Sequence, residues 1–264
     1  MDTKESLIST AKQLVKGHQT SHNKIVKLGT KFLSALWSAF HISKRIINDK
    51  DYRYLLLLQL VKYKNVHQTT PLTFMNRYPK IFSACQEYFE GKGDLKILSY
   101  GCSTGEEVLT LRRYFPTAQI IGADINKRSL ETCRKLPVDE KISFIFSTPS
   151  EIQKHGKFDA IFCMAVLERK PHDVAAKGIT NLSKIYPFEK FEKQIIELDN
   201  LLNPNGLLVV HFTQYSLLDT KLASNYQALG NHVQDDYLTP VFDRNSELRR
   251  NTNPQKSIFV KLNG

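Results

Sequence analysis

Several familiar signatures are missing from this chain. Its four cysteines, Cys85, Cys102, Cys133 and Cys163, form no CxxC pair, which excludes a zinc ribbon or a disulfide framework and suits free thiols in a reducing cytoplasm. No metal ligand set stands out. No apolar run reaches the roughly 18 residues of a membrane span; the longest, LLLLQLV at 55–61, is far too short. The amino terminus carries Asp2 and Glu5 and no apolar core, so a secretory signal is not expected. The GxGxxG turn of dinucleotide sites is absent, as is any interleaved aromatic and basic motif of RNA-binding type.

What is present begins with charge. The 264 residues carry a formal net charge of +11, against an ordinary apolar content of 41%. Residues 1–94 hold 15 Lys and Arg against 7 Asp and Glu. A basic half suits an anionic membrane surface, an acidic partner or a simple solvated face, and nucleic acid is the weaker expectation. This half also has helical periodicity. Leu7, Ile8, Ala11, Leu14 and Val15 share one face, and Ile25, Leu28, Phe32, Leu36 and Phe40 continue with Lys24, Lys27, Lys31 and Lys44 around them. Such basic amphipathic helices either pack on a neighbouring domain or lie on a membrane. A third apolar segment covers 51–64, and a fourth helix is expected over 77–90, before Gly91-Lys92-Gly93. These features divide the chain into a helical amino-terminal cap domain, 1–94, and a second domain, 95–264.

From residue 95 strands and helices alternate. ILSY (97–100), QIIGAD (119–124), ISFIF (142–146), FDAIFCMAV (158–166) and LLVVHF (207–212) read as strands. Helices are expected up to Phe115, over NKRSLETCRK, and from Pro187 with Phe188, Phe191, Ile195, Leu198 and Leu202 inward. Asn203-Pro204-Asn205-Gly206 reads as a turn. A helix near 217–229 and a hairpin of TPVFD (239–243) with SIFVKL (257–262) complete the pattern. The fold class is therefore α/β, Rossmann-like: a mostly parallel sheet with a late antiparallel hairpin and helices on both faces. Ligands bind such sheets beyond the carboxyl ends of the strands, where strand order reverses.

The turn after the first strand, GCSTGEE (101–107), places two glutamates where a phosphate would sit. Two unit charges roughly 4 Å from a phosphate would each cost about 4 kcal/mol at an effective dielectric near 20. S-adenosylmethionine has no phosphate; it presents a cationic sulfonium, an ammonium and ribose hydroxyls, which acidic residues suit. Ser103-x-x-Glu106 and Thr104-x-x-Glu107 both fit a capping box, so one glutamate is expected to cap and the other to face ligand. Asp124, at the end of the second strand, is placed to accept ribose hydroxyls or to cap the helix after it.

These residues resemble the class I S-adenosylmethionine-dependent methyltransferases, and GCSTGEE is similar to the motif of the chemotaxis-receptor glutamate methyltransferases. LTFMNRYPKIF (72–82) supplies Thr73 and Arg77 at the spacing with which that family holds the cofactor's carboxylate end. The resemblance covers roughly 70–215 and implies binding of the cofactor, or its product S-adenosylhomocysteine, by Thr73, Arg77, Gly101, Cys102, Gly105, Glu107, Asp124, Ile125, Thr148 and Cys163. The departures lie on the substrate side. Met164-Ala165 and Leu167-Glu168 replace the family's Arg-Asn and aromatic pair, Ser147-Thr148-Pro149 replace an Asn that supports adenine, and the receptor enzymes' small β-subdomain has no counterpart.

The expected activity is methyl transfer to a small-molecule acceptor, with a protein carboxylate acceptor or a non-catalytic cofactor-binding role as alternatives. No residue declares itself catalytic. Glu168, His211 and Tyr215 are the candidates, with Arg169, His172 and Gln214 beside them after the fourth and fifth strands.

Overall fold

A computed structural model describes residues 24–49, 53, 56, 66–68, 72–235, 239–250 and 253–263, with backbone alone for 24–31 and 33. The periodic face at 7–15 and most of the segment 51–64 lie outside the described residues. The chain forms two compact units, Met1–Val61 and Lys62–Gly264. In the first, α1 (Lys24–Asn48) is a 25-residue helix that leaves Phe32, Leu36, Phe40 and Ile47 exposed. No described helix is long and apolar enough to cross a membrane.

The second unit is built on seven strands. β1 (Lys96–Tyr100), β2 (Gln119–Asp124), β3 (Ile142–Phe146), β4 (Phe158–Met164) and β5 (Leu202–His211) run parallel. β7 (Ile258–Lys261) lies antiparallel between β5 and β6 (Tyr226–Ala228). The order is β3-β2-β1-β4-β5-β7-β6, so strand order reverses between β1 and β4, the kind of position at which open parallel sheets bind ligands.

Both faces of the sheet are covered, which explains the near-continuous apolar runs in its strands. On one face, Ile97, Ile120, Phe162 and Val209 meet Ile81 and Phe82 of α2 (Pro79–Tyr88), Val108 and Leu111 of α3 (Glu106–Tyr114) and Leu130 of α4 (Lys127–Cys133). On the other, Leu98, Ile121, Ile161 and Leu208 meet Ile152 of α5 (Pro149–Gln153), Val174 of α6 (Pro171–Ala176) and Phe191, Ile195 and Leu198 of α7 (Phe188–Asp199). Because Tyr78, Ile81 and Phe82 bury against the sheet, α2 belongs with the second unit, where the sequence grouped it with the amino-terminal helices.

Three elements differ from expectation. The Asn203–Gly206 turn is absorbed into β5 as an irregularity: the register with β4 shifts between Phe158 and Ala160, and Asn205 takes a left-handed φ of 58°. The helix expected at 217–229 is replaced by two short 3-10 turns, Leu217–Asp219 and Ala223–Asn225, followed by β6. TPVFD is not a strand; Phe242 makes one isolated bridge to Leu248, and β7 takes β6 as its partner instead. Phe242 is fully buried against Tyr215, so its apolar neighbours reflect core packing and not strand alternation.

Gly101 leaves β1 with φ +83°, and a Cβ there would stand 2.4 Å from Val166 Cγ2. The turn therefore packs directly on the segment after β4. Gly101→Ala should lower the unfolding free energy by about 1–3 kcal/mol, since it meets both a left-handed backbone and a steric block. A thermal melt that left the midpoint unchanged would contradict this.

Candidate functional site

The glycine turn is held from below by a carboxylate. Asp124, at the tip of β2, accepts the backbone N–H of Ser103 at 2.8 Å on Oδ2 and that of Asn126 at 2.6 Å on Oδ1. Asn126, not Asp124, caps α4, its side chain accepting from the N–H groups of Arg128 and Ser129. Burial raises the Asp124 carboxyl to about 6, against the opposing backbone N–H groups of Asn126, Ser103 and Ile125. Each carboxylate oxygen has a second lone pair, so hydroxyl donors still find acceptors there.

The two glutamates take different roles. The helix cap of α3 is Gly105 in a left-handed conformation, with no side-chain cap bond, so neither capping box forms. Glu106 instead accepts from the Thr104 hydroxyl at 2.7 Å. Glu107 turns toward the sheet and accepts from Ser99 Oγ at 2.7 Å. Burial raises it to about 7, with the Ser99 hydroxyl and the Arg77 charge acting the other way. Ser103 Oγ is buried with no hydrogen-bond partner among the described residues.

The Arg77 charge acts on this carboxylate from the 72–78 segment. That segment is tied to α3 by Asn76 N–H to Thr110 Oγ1 at 2.9 Å and by Tyr114 Oη to Asn76 Oδ1 at 3.0 Å. The Arg77 guanidinium donates to the Leu72 carbonyl and lies 5.1 Å from the Tyr78 ring centre and 5.9 Å from that of Phe212. His211, at the end of β5, joins the same cluster: its ring stacks on Phe212 at 4.4 Å and meets Tyr78 edge-on at 4.9 Å. Nδ1 of His211 lies 2.8 Å from Ser257 Oγ. Burial, then the Arg77 charge, lowers its pKa to about 4, with Asp235 opposing. The imidazole is neutral at pH 7.

The structure thus gathers Arg77, Gly101, Glu107, Asp124 and His211 at the carboxyl edge of the sheet. Thr73 is half-buried on the Arg77 segment, and Ile125 and Thr148 are half-buried where β2 and β3 end. Cys102 and Cys163 are fully interior; the hydrogen bond with Cys133 and burial hold the Cys102 thiol well above its ordinary range, so it is a packing group.

Two of the catalytic candidates, Tyr215 and Glu168, are buried. Tyr215 does not close over the crevice. It is fully buried on the α7 face, with its hydroxyl donating to the Tyr186 carbonyl at 2.6 Å and lying 2.9 Å from Ser246 Oγ. Four core aromatics, Tyr186, Phe188, Phe191 and Phe242, surround it. Glu168 is also buried, accepting from Gln68 at 2.9 Å.

Backbone strain marks the same edge. Ser103 (φ 50°), Ala165 (φ 54°) and Phe212 (φ 56°) are left-handed without being glycine, and they follow β1, β4 and β5 respectively. Such residues persist where surrounding structure over-determines them, often at ligand sites.

The profile of the methyltransferase-domain family matches residues 92–246. The chain belongs to that family. An uncharacterised protein of Rickettsia prowazekii (strain Madrid E) is 27% identical over 150 residues, covering 54% of this chain and 54% of the relative, so the chain spans about half of that relative's length. Among solved structures, the plantazolicin methyltransferase BpumL bound to SAH is 18% identical over 63% of this chain and 55% of its own, with a TM-score of 0.38. PKMT2 of Rickettsia typhi with AdoHcy is 26% identical over 53% of this chain and 26% of its own, with a TM-score of 0.37.

Sequence reasoning on this methyltransferase-domain chain overlooked His67. It is buried, with Nδ1 2.6 Å from Tyr186 Oη and Nε2 3.2 Å from Gln194 Oε1. Its neighbours in sequence give no periodic signal, because residues 66–68 lie in neither helix nor strand.

If Tyr215 is a core residue, Tyr215→Phe should cost about 1–3 kcal/mol of stability through the buried partners it abandons. Ligand affinity should be unchanged. Loss of cofactor binding with an unaltered melting midpoint would reverse the assignment.

Proposed function

We propose that this chain is an S-adenosylmethionine-dependent methyltransferase acting on a small-molecule nucleophile. The observation that carries the reading is the pair of carboxylates, Glu107 and Asp124, held above their ordinary pKa range on either side of a glycine turn, with Arg77 beside one of them. A phosphate ligand would be repelled there; a ligand with an ammonium, a carboxylate and vicinal hydroxyls fits each group. The left-handed Gly101 lets the turn pack against Val166 after β4, which fixes the shape of this edge.

In this reading Arg77 holds the ligand carboxylate through its planar fork, with Thr73 on the same segment. Glu107 receives the ammonium, and Asp124 accepts ribose hydroxyls while keeping the turn in place. Ile125 and Thr148 flank the nucleoside. When bound, S-adenosylmethionine supplies an electrophilic methyl on a leaving group that is already good. The chain's remaining task is to position the nucleophile and exclude water. His211 faces this edge as a neutral imidazole, and a base with a pKa near 4 removes protons poorly at pH 7. The acceptor is therefore one whose nucleophile needs little deprotonation, such as an amine, thiolate or carboxylate. The finer likeness to receptor glutamate methyltransferases rests on GCSTGEE, Thr73 and Arg77, and a carboxylate acceptor is compatible with it.

Calorimetric titration with S-adenosylhomocysteine tests the reading. The wild-type chain should bind, and Asp124→Ala should bind about tenfold more weakly or worse, a loss of about 1.4 kcal/mol. No saturable heat from the folded wild type would overturn it.

Glu107 supplies a second test. Its folded pKa of about 7 lies above its ordinary 4.5, so the folded state holds the proton more tightly. Stability is then present below pH 4.5 and is lost as pH rises through 7. Glu107→Gln should therefore stabilise the ligand-free chain at pH 8 by on the order of 1–3 kcal/mol while weakening cofactor binding. A variant that is both less stable and unimpaired in binding would refute this role.

A further inference from the structure

Six of the eleven large apolar side chains exposed among the described residues lie in one element, α1: Phe32, Leu36, Trp37, Phe40, Ile42 and Ile47. Apolar exposure gathered in this way marks a contact surface, whereas single exposed residues elsewhere need no explanation. On an α-helix, Phe32, Leu36, Ala39, Phe40, Ser43 and Ile47 fall within one stripe about 100° wide. Ser43 is the polar position in it, and its hydroxyl is satisfied inside the helix, donating to the Phe40 carbonyl at 2.9 Å. Trp37 lies to one side of the stripe, its ring 4.7 Å from that of His41.

Charge decides what such a stripe meets. α1 contains Lys24, Lys27, Lys31, Lys44 and Arg45 and no Asp or Glu, and all five positions fall outside the stripe. Asp49, just past the helix, lies 3.5 Å from Arg45, so the excess rests on the lysines. The whole unit Met1–Val61 has ten Lys and Arg against four Asp and Glu, a net +6, which is more than half of the chain's +11 in less than a quarter of its length. A second copy would bring the same cations to the contact and be repelled. α1 is not apolar enough to cross a membrane. A helix with an apolar stripe, aromatic residues on and beside it and basic residues around the remainder lies in the plane of a membrane interface. Anionic headgroups there attract its cations.

We propose that α1 docks this chain on an anionic lipid surface, with Phe32, Leu36, Phe40 and Ile47 inserted at the headgroup boundary and the lysines against the lipid phosphates. Trp37 then lies at the interfacial depth that tryptophan favours. Nothing in this surface comes from the second unit, so it stands apart from the methyl-transfer reading.

Trp37 is the only tryptophan in the chain, so tryptophan fluorescence reports on α1 alone. The test titrates the full chain with phosphatidylcholine vesicles, with and without about one-third phosphatidylglycerol. The anionic vesicles should bind it about tenfold more tightly than the neutral ones, shift Trp37 emission to shorter wavelength and release it as salt is raised. Leu36→Glu and Phe40→Glu, both on exposed positions, should each weaken vesicle binding about tenfold, whereas Leu218→Glu, exposed on the second unit, should stay within about twofold. Lys44→Gln leaves the stripe intact and should weaken binding to the anionic vesicles alone, by about fivefold. No vesicle binding, or equal binding to both compositions, would overturn the proposal. Emission that is already blue-shifted without lipid and moves with protein concentration would assign the stripe to a second copy and overturn it too. Shielding of Trp37 from acrylamide in the lipid-free monomer would assign the stripe to the chain's own residues, with the same consequence.

Discussion

One buried carboxylate organises the edge of this sheet. Asp124 ends β2 and receives backbone N–H groups from Ser103 in the neighbouring turn and Asn126 in its own. Without an acceptor there, the Ser103 N–H would be left unsatisfied inside the protein, and the turn between β1 and α3 would keep only the Gly101 and Cys102 N–H bonds to the Ala123 carbonyl as ties to β2. The position of that turn then dictates the rest. Gly105 starts α3 in a left-handed conformation, α3 carries Glu107 inward to Ser99, and Thr110 and Tyr114 on the same helix fasten the segment that delivers Arg77. A chain of short contacts leads from one aspartate to a complete charged site.

Those charges are held at some cost. Glu107 and Asp124 both sit above their ordinary pKa range because burial opposes ionisation more than their partners favour it. Strained left-handed residues follow three of the strands at the same edge. A fold optimised only for stability would replace these features. They concentrate at the carboxyl edge of the sheet, in the turn after β1 and the segments after β4 and β5.

Much of this was legible in the residues. β2 and β3 fall at QIIGAD and ISFIF as their apolar runs require, and Pro187 precedes α7 by one residue. In such elements the apolar residues are the ones the core takes up, so local pattern and tertiary demand agree. The misses came where they disagree. Phe242 looks like a strand residue and Tyr215 like a catalytic candidate, but each is drawn into the core by aromatic neighbours remote in sequence. Capping boxes were readable at Ser103 and Thr104, yet the left-handed Gly105 takes the cap itself. His67 gave no signal, since its partners, Tyr186 and Gln194, are more than a hundred residues away.

The account depends most on the inward carboxylates being poised for a cationic ligand. Proton release on binding reads this directly, through the heat of S-adenosylhomocysteine titration at pH 7 in two buffers of different ionisation enthalpy. Glu107, whose burial favours the protonated form, should ionise as the ammonium arrives, so binding should release protons. Binding with no proton exchange, or with net uptake, would contradict the central claim.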